Sequence, residues 1–227
     1  RVGQILAEGA AIIDVGACST RPGGDVATEA EEMSRLESGL CVLRRVAPEA
    51  VVSVDTFRAR VARRCVEDFG VQMVNDVSGG DLDDEMFPTV AELGVPYVLT
   101  HSRREEGDLL VGMLQYLGRR IEQLHALGVK DIILDPGFGF GKTLDENYLL
   151  MRRLGDLGVL ERPLLVGVSR KSMIYRLLET SPQEALNGST VLHTIALMHG
   201  ASILRVHDVR QAAETIQITQ RVCLNSD

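Results

Sequence analysis

Short apolar runs rich in β-branched residues alternate along the chain with longer amphipathic stretches. The runs fall at 11–15, 51–55, 73–77, 97–101, 132–135, 164–168 and 203–206. Most lack apolar/polar alternation, as expected for strands covered on both faces in a parallel sheet. Between them lie helical patterns such as 145–154, where Leu149, Leu150 and Leu154 share a face. A second pattern covers 189–198, with Ser189 placed as an N-cap after an Asn187-Gly188 turn. The opening residues read as the last turns of a helix ending at Gly9.

Strand and helix patterns alternate without a linker or a break in composition, which predicts one α/β domain over 1–227. Neighbouring strands are ~20–40 residues apart, the size of a βα unit, and a closed (β/α)8 barrel has eight strands in ~250 residues. The pattern therefore predicts a (β/α)8 TIM barrel whose first strand and first loop lie outside this sequence. An open doubly wound sheet is the alternative. It is disfavoured because no GxGxxG follows the first strand.

Composition narrows the class. The 227 residues are 45% hydrophobic and 25% charged, with a net charge of −8. That balance argues against a general nucleic-acid or anionic-membrane binder, and no apolar run approaches the ~18 residues of a membrane span. Any site for an anionic substrate must then be a local basic cluster. Cys18, Cys41, Cys65 and Cys223 show no ligand or CxxC spacing, so they read as buried or idle thiols of a reducing cytosol.

The candidate chemistry sits where the apolar runs finish. They end at Asp14 with the following Ser19-Thr20-Arg21, at Asp55, Asn75-Asp76, His101, Asp135, Ser169-Arg170-Lys171, and Arg205 with His207. In a parallel barrel such ends build the active site, although a polar strand end also serves to cap the next helix. Asp55 and Asp135 offer carboxylates that take two parallel donors from a flat heterocycle, and Asn75 adds a donor and an acceptor. Paired-carboxylate hydrolysis is a rival use that the neighbouring basic residues disfavour. Lys171, Arg205 and His207, with Arg21 on a loop, suit an anion such as phosphate; Ser189 or a helix start could assist. Glycine-rich STRPGG (19–24) and DPGFGFGK (135–142) complete the set, with Phe138 and Phe140 as possible aromatic faces. The second is not a Walker A loop, because its spacing fails.

The motifs VGxxSTRPG, SVDT, NDVSGG, DPGFGFGK, GVSRKS and ILRVHDV, in this order and spacing, resemble the dihydropteroate synthases over essentially the whole chain. The resemblance implies a TIM barrel, a cytoplasmic homodimer with no nucleic-acid or membrane partner, and a Mg2+-assisted transferase of folate biosynthesis. It implies condensation of 6-hydroxymethyl-7,8-dihydropterin diphosphate with para-aminobenzoate, inhibited by sulfonamides. By motif, Asp55, Asn75, Asp135 and Lys171 would hold the pterin, and Arg205 and His207 the diphosphate. Thr20, Arg21 and Pro22 would fold over the site, while Phe140, Lys171 and Ser172 would line the para-aminobenzoate pocket. Asp55, Lys171, Arg205 and His207 would carry the chemistry.

The family's opening strand, with an Asn that helps bind Mg2+, lies outside the sequence, so no metal ligand is expected in this chain and the native protein is expected to be longer. GACST stands where GGEST is common, and Thr100-His101-Ser102 where Met-His-Met/Asn is usual. Two rivals are a methyltetrahydrofolate-binding methyltransferase barrel, disfavoured by SRK and RVHD, and a non-catalytic pterin-binding paralogue.

Overall fold

The computed structural model describes residues 1–18 and 26–223, and the chain divides into two compact units. The first contains Arg1–Thr100 with Arg120–Ile132, and the second His101–Arg119 with Ile133–Asp227. The division falls inside one helix and one strand.

The first unit runs α1 (Val2–Ala7), β1 (Ile12–Gly16), α2 (Glu29–Val46), β2 (Val51–Asp55), α3 (Ala59–Phe69), β3 (Met73–Asp76), α4 (Met86–Leu93) and β4 (Tyr97–Thr100), and includes the end of α5 (Leu109–Ala126). Its strands pair in parallel and in sequence order, β1 with β2, β2 with β3 and β3 with β4. β3 and β4 are buried at every position, which is why they carry no alternation. α2 begins where Thr28 and Glu31 exchange side-chain and backbone hydrogen bonds in a capping box. Met33, Leu36, Leu40 and Leu43 then recur at helical spacing and are all buried. α3 buries Val61, Ala62 and Cys65 and stops at Gly70, whose φ of 63° is the left-handed conformation a helix stop favours. The opening helix ends at Ala7, with Glu8 as its cap and Gly9 just beyond.

The second unit takes in the start of α5 and most of β5 (Ile132–Asp135), followed by α6 (Leu144–Arg152), β6 (Leu164–Val166), α7 (Ser172–Leu177), α8 (Leu186–Met198), β7 (Ala201–Leu204) and α9 (Val209–Cys223). β5 pairs with β6 and β6 with β7, all parallel, with a bulge at Leu164/Leu165. The alternation predicted from the sequence is present, and the seven strands match the runs to within one or two residues.

The helices depart further from the pattern. The stretch read as 145–154 is α6 followed by a 3-10 segment, Leu154–Leu160, so Leu154 packs from a separate turn. Ser189 and the Asn187-Gly188 pair lie inside α8. Gly188 is there for close packing, since a Cβ at that position would meet Ile174 Cγ2 at 2.3 Å. Of the four free cysteines only Cys65 is buried, and burial pushes its thiol up to about 12; Cys41 and Cys223 are exposed.

Candidate functional site

In the first unit the polar positions line up by register. Gly16, Asp55 and Asn75 are Cα partners across β1, β2 and β3, so the last two project side by side from one face. Asp14, two residues before Gly16, shares that face and accepts a hydrogen bond from Asn75 Nδ2 at 3.1 Å. A glycine at 16 keeps the row open, because a Cβ there would come within 3.1 Å of the Asp55 Cβ. Two carboxylates and a carboxamide therefore face the same way, an array suited to an edge bearing ring N–H and amino donors.

Asp76, grouped with Asn75 in the sequence, projects from the other face of β3 and is wholly buried. Its carboxylate accepts from Ser78 N and Ser78 Oγ, both at 2.7 Å, from Gly80 N at 2.9 Å and from Tyr97 Oη at 2.7 Å. Those bonds fold the NDVSGG turn and leave Asp76 a scaffold group. Thr56 of the SVDT motif is also structural: its hydroxyl donates to the buried Glu32 of α2 at 2.7 Å, and Glu32 pairs with Arg58. No spacing in the sequence marks Glu32, whose neighbours include the capping Glu31.

In the second unit the charges concentrate after β5, β6 and β7. Asp135 ends β5 and accepts a hydrogen bond from Gly137 N at 2.8 Å. Burial raises its carboxyl above the usual range, opposed chiefly by Lys171 and also by Lys142 and Arg205. The Lys171 ammonium is lowered to about 8, first by burial, with Asp135 pulling it up and Arg205 pushing it down. Lys171 donates to the Phe138 carbonyl and lies 4.6 Å from the centre of the Phe140 ring. Asp135, Lys171 and Arg205 thus form one electrostatic group, with Phe140 beside it and Ser172 opening α7. Phe138, read as a second aromatic face, is fully buried and serves the core.

His207 is positioned by Ser169, whose Oγ accepts from His207 N at 3.2 Å and lies 3.2 Å from its Nδ1. Arg170 departs from the expected basic cluster. It adopts φ 54°, grips both oxygens of Asp208 at 2.8 Å, and donates to the Pro182 and Gln183 carbonyls. Its charge serves the fold, and Ser189, expected as an anion ligand, accepts its backbone N–H at 2.9 Å. His101 is likewise occupied: it is fully buried, with Nε2 2.9 Å from Glu105 Oε1 and Nδ1 3.2 Å from Lys142 Nζ. Burial first, and Lys142 next, lower it to about 4. Asn147, absent from the sequence reading, accepts from Gly139 N at 2.7 Å and reaches the Lys142 and Thr143 carbonyls. Thr20, Arg21 and Pro22 lie outside the described residues.

Among the described residues no group of three or more His, Cys, Asp or Glu could hold a metal ion. Among them, too, no helix is long and apolar enough to cross a membrane.

Residues 1–207 match the family described as pterin binding enzymes. A dihydropteroate synthase of Bacillus subtilis is 40% identical over 216 residues, covering 92% of this chain and 74% of the relative. A Clostridium difficile dihydropteroate synthase, solved in the presence of pteroic acid, superposes with a TM-score of 0.93 at 32% identity, covering 97% of this chain and 85% of that one. A Yersinia pestis dihydropteroate synthase in complex with a sulfonamide drug gives 0.92 at 35% identity, over 98% and 83%.

Proposed function

The chain belongs to the pterin-binding enzymes as a dihydropteroate synthase with their TIM-barrel fold, and on that footing we propose how its residues divide the work. The reaction is the condensation of 6-hydroxymethyl-7,8-dihydropterin diphosphate with para-aminobenzoate to 7,8-dihydropteroate and diphosphate. In the first unit, Asp55 and Asn75 are the pterin ligands. In the second, Asp135 and Lys171 hold the pterin, Arg205 and His207 the diphosphate, and Phe140, Lys171 and Ser172 the arylamine. Thr20, Arg21 and Pro22 are assigned by motif to the loop that covers the substrates. All belong to a single pterin-binding domain spanning 1–227.

The observation that carries this reading is the group formed by Asp135, Lys171 and Arg205, with Phe140 against the lysine. Cations beside a buried carboxylate favour its ionised form, and two cations beside one carboxylate leave positive charge for an anion. The bond from the pterin methylene to the diphosphate oxygen breaks first, and the cation left behind is shared by the pterin ring and stabilised by Asp55. The aniline nitrogen then bonds to that carbon and loses a proton. Arg205 forks the departing diphosphate and Lys171 adds charge, so the protein acts by placement and electrostatics. No protein nucleophile is required.

Mg2+ belongs to the proposal as the partner of the diphosphate. When bound it would supply positive charge to the leaving diphosphate. We also infer a cytoplasmic homodimer. Met198 of α8 and Ile218 and Val222 of α9 are 63%, 66% and 67% exposed, an apolar set suited to a second copy. Light scattering on the purified protein reads that state directly.

The test of the function is product formation by the full-length protein from pterin diphosphate, para-aminobenzoate and Mg2+. Pterin binding without product would support the non-catalytic reading instead.

A further inference from the structure

The turn 136–142 is built from residues that cannot hold a shape alone. Gly137, Gly139 and Gly141 have φ of 69°, 80° and 62°, and glycine loses the most conformational entropy on being fixed. Yet the turn presents two groups to Lys171, the Phe138 carbonyl and the Phe140 ring. Something else must hold it in place.

Lys142 supplies most of that hold. Its Nζ lies 3.0 Å from the Gly137 carbonyl, 3.1 Å from the Phe140 carbonyl and 3.0 Å from the His101 carbonyl, which follows β4. An ammonium has three protons, and three carbonyls take them; His101 Nδ1 stands 3.2 Å away as a further acceptor. Two of these carbonyls flank Phe138, so the lysine draws the turn closed around it. Asn147 completes the hold from α6 through its bond from Gly139 N. On the outer side a Cβ at Gly141 would meet the Arg103 carbonyl carbon at 2.7 Å, so the turn is also seated against the segment after His101.

We propose that Lys142, with Asn147, is a positioning residue for the arylamine pocket: it fixes the 136–142 turn so that Phe140 and the Phe138 carbonyl meet Lys171 in the reactive arrangement. This rests on the assignment of Phe140, Lys171 and Ser172 to that pocket. Lys142 bonds to the Gly137 and Phe140 carbonyls and acts on Lys171 through the turn they belong to.

The test uses Lys142→Met and Asn147→Ala in the full-length protein, with steady-state kinetics for each substrate and equilibrium binding of the pterin. Lys142→Met should raise the KM for para-aminobenzoate about tenfold or more, the scale of losing charge-assisted hydrogen bonds. The KM for pterin diphosphate and the pterin affinity should change by a clearly smaller factor. Asn147→Ala loosens the same turn without changing charge and should show the same split. The double variant should cost less than the product of the two changes, because both act on one element.

An unchanged para-aminobenzoate KM in Asn147→Ala, beside a large effect in Lys142→Met, would show that Lys142 acts by its charge and would overturn the proposal. Equal losses for both substrates, or lost pterin binding, would overturn it too. Failure of the unmodified protein to form dihydropteroate would instead overturn the functional reading.

Discussion

Two turns, one in each unit, start from the same local design and end in different roles. The turn in NDVSGG leaves β3 and the turn in DPGFGFGK leaves β5, and each turn opens from a buried Asp that ends its strand. Each Asp accepts the backbone N–H two residues on, Ser78 in one and Gly137 in the other. From there they diverge. Asp76 collects three more donors from Ser78, Gly80 and Tyr97, and becomes the rivet of its turn. The Asp135 carboxylate has that one hydrogen bond among the described residues and is balanced by Lys171, Lys142 and Arg205. Burial raises both carboxyls, so burial alone does not tell them apart. The difference is who satisfies the charge. A carboxylate saturated by its own fold supports structure, and one balanced by cations at a distance keeps capacity for a ligand.

Substitutions on the cationic side should break the comparison most sharply. Lys171→Ala and Arg205→Ala should each lower turnover ~10²-fold or more, the scale of removing an electrostatic stabiliser, with the melting temperature little changed. Near-normal rates in both would remove the site assignment.

The two carboxylates should then respond in opposite currencies. Asp76→Ala strands several buried donors and should cost about 3 kcal/mol of stability, read by urea unfolding. Asp135→Asn should leave melting within about 4 °C, roughly 1 kcal/mol for a chain of this size, while weakening pterin binding by about tenfold. A stable Asp76 variant or an unchanged pterin affinity at 135 would erase the contrast.

A last effect is expected on stability against pH. Burial lowers both His101 and His193 to about 4. An unfolded histidine binds its proton near 6.5, so between about 6.5 and 4 the unfolded state holds more protons than the folded one. Stability from these groups is therefore complete above about pH 6.5 and is lost as pH falls towards 4. Melting at pH 7 and pH 4.5 should show the fall, and His193→Gln should make it shallower.

The strands and the rank of polar groups at their ends were legible in the sequence because both are local. Burial on two faces writes itself as a continuous apolar run, and the first polar residue after it must lie at the strand's end. The runs at 51–55 and 132–135 coincide with β2 and β5, and the motifs carry the family. What each polar residue does was not legible, because that depends on partners far along the chain. Arg170 faces Asp208, 38 residues on, and Lys142 reaches His101, 41 residues back. Only the register of β1 to β3 sets Asp55 beside Asn75 and turns Asp76 away. Periodicity along the chain thus determined where the chemistry stands. The tertiary structure decided which of those charges are consumed by the fold, since a charge is settled by the groups that surround it in space.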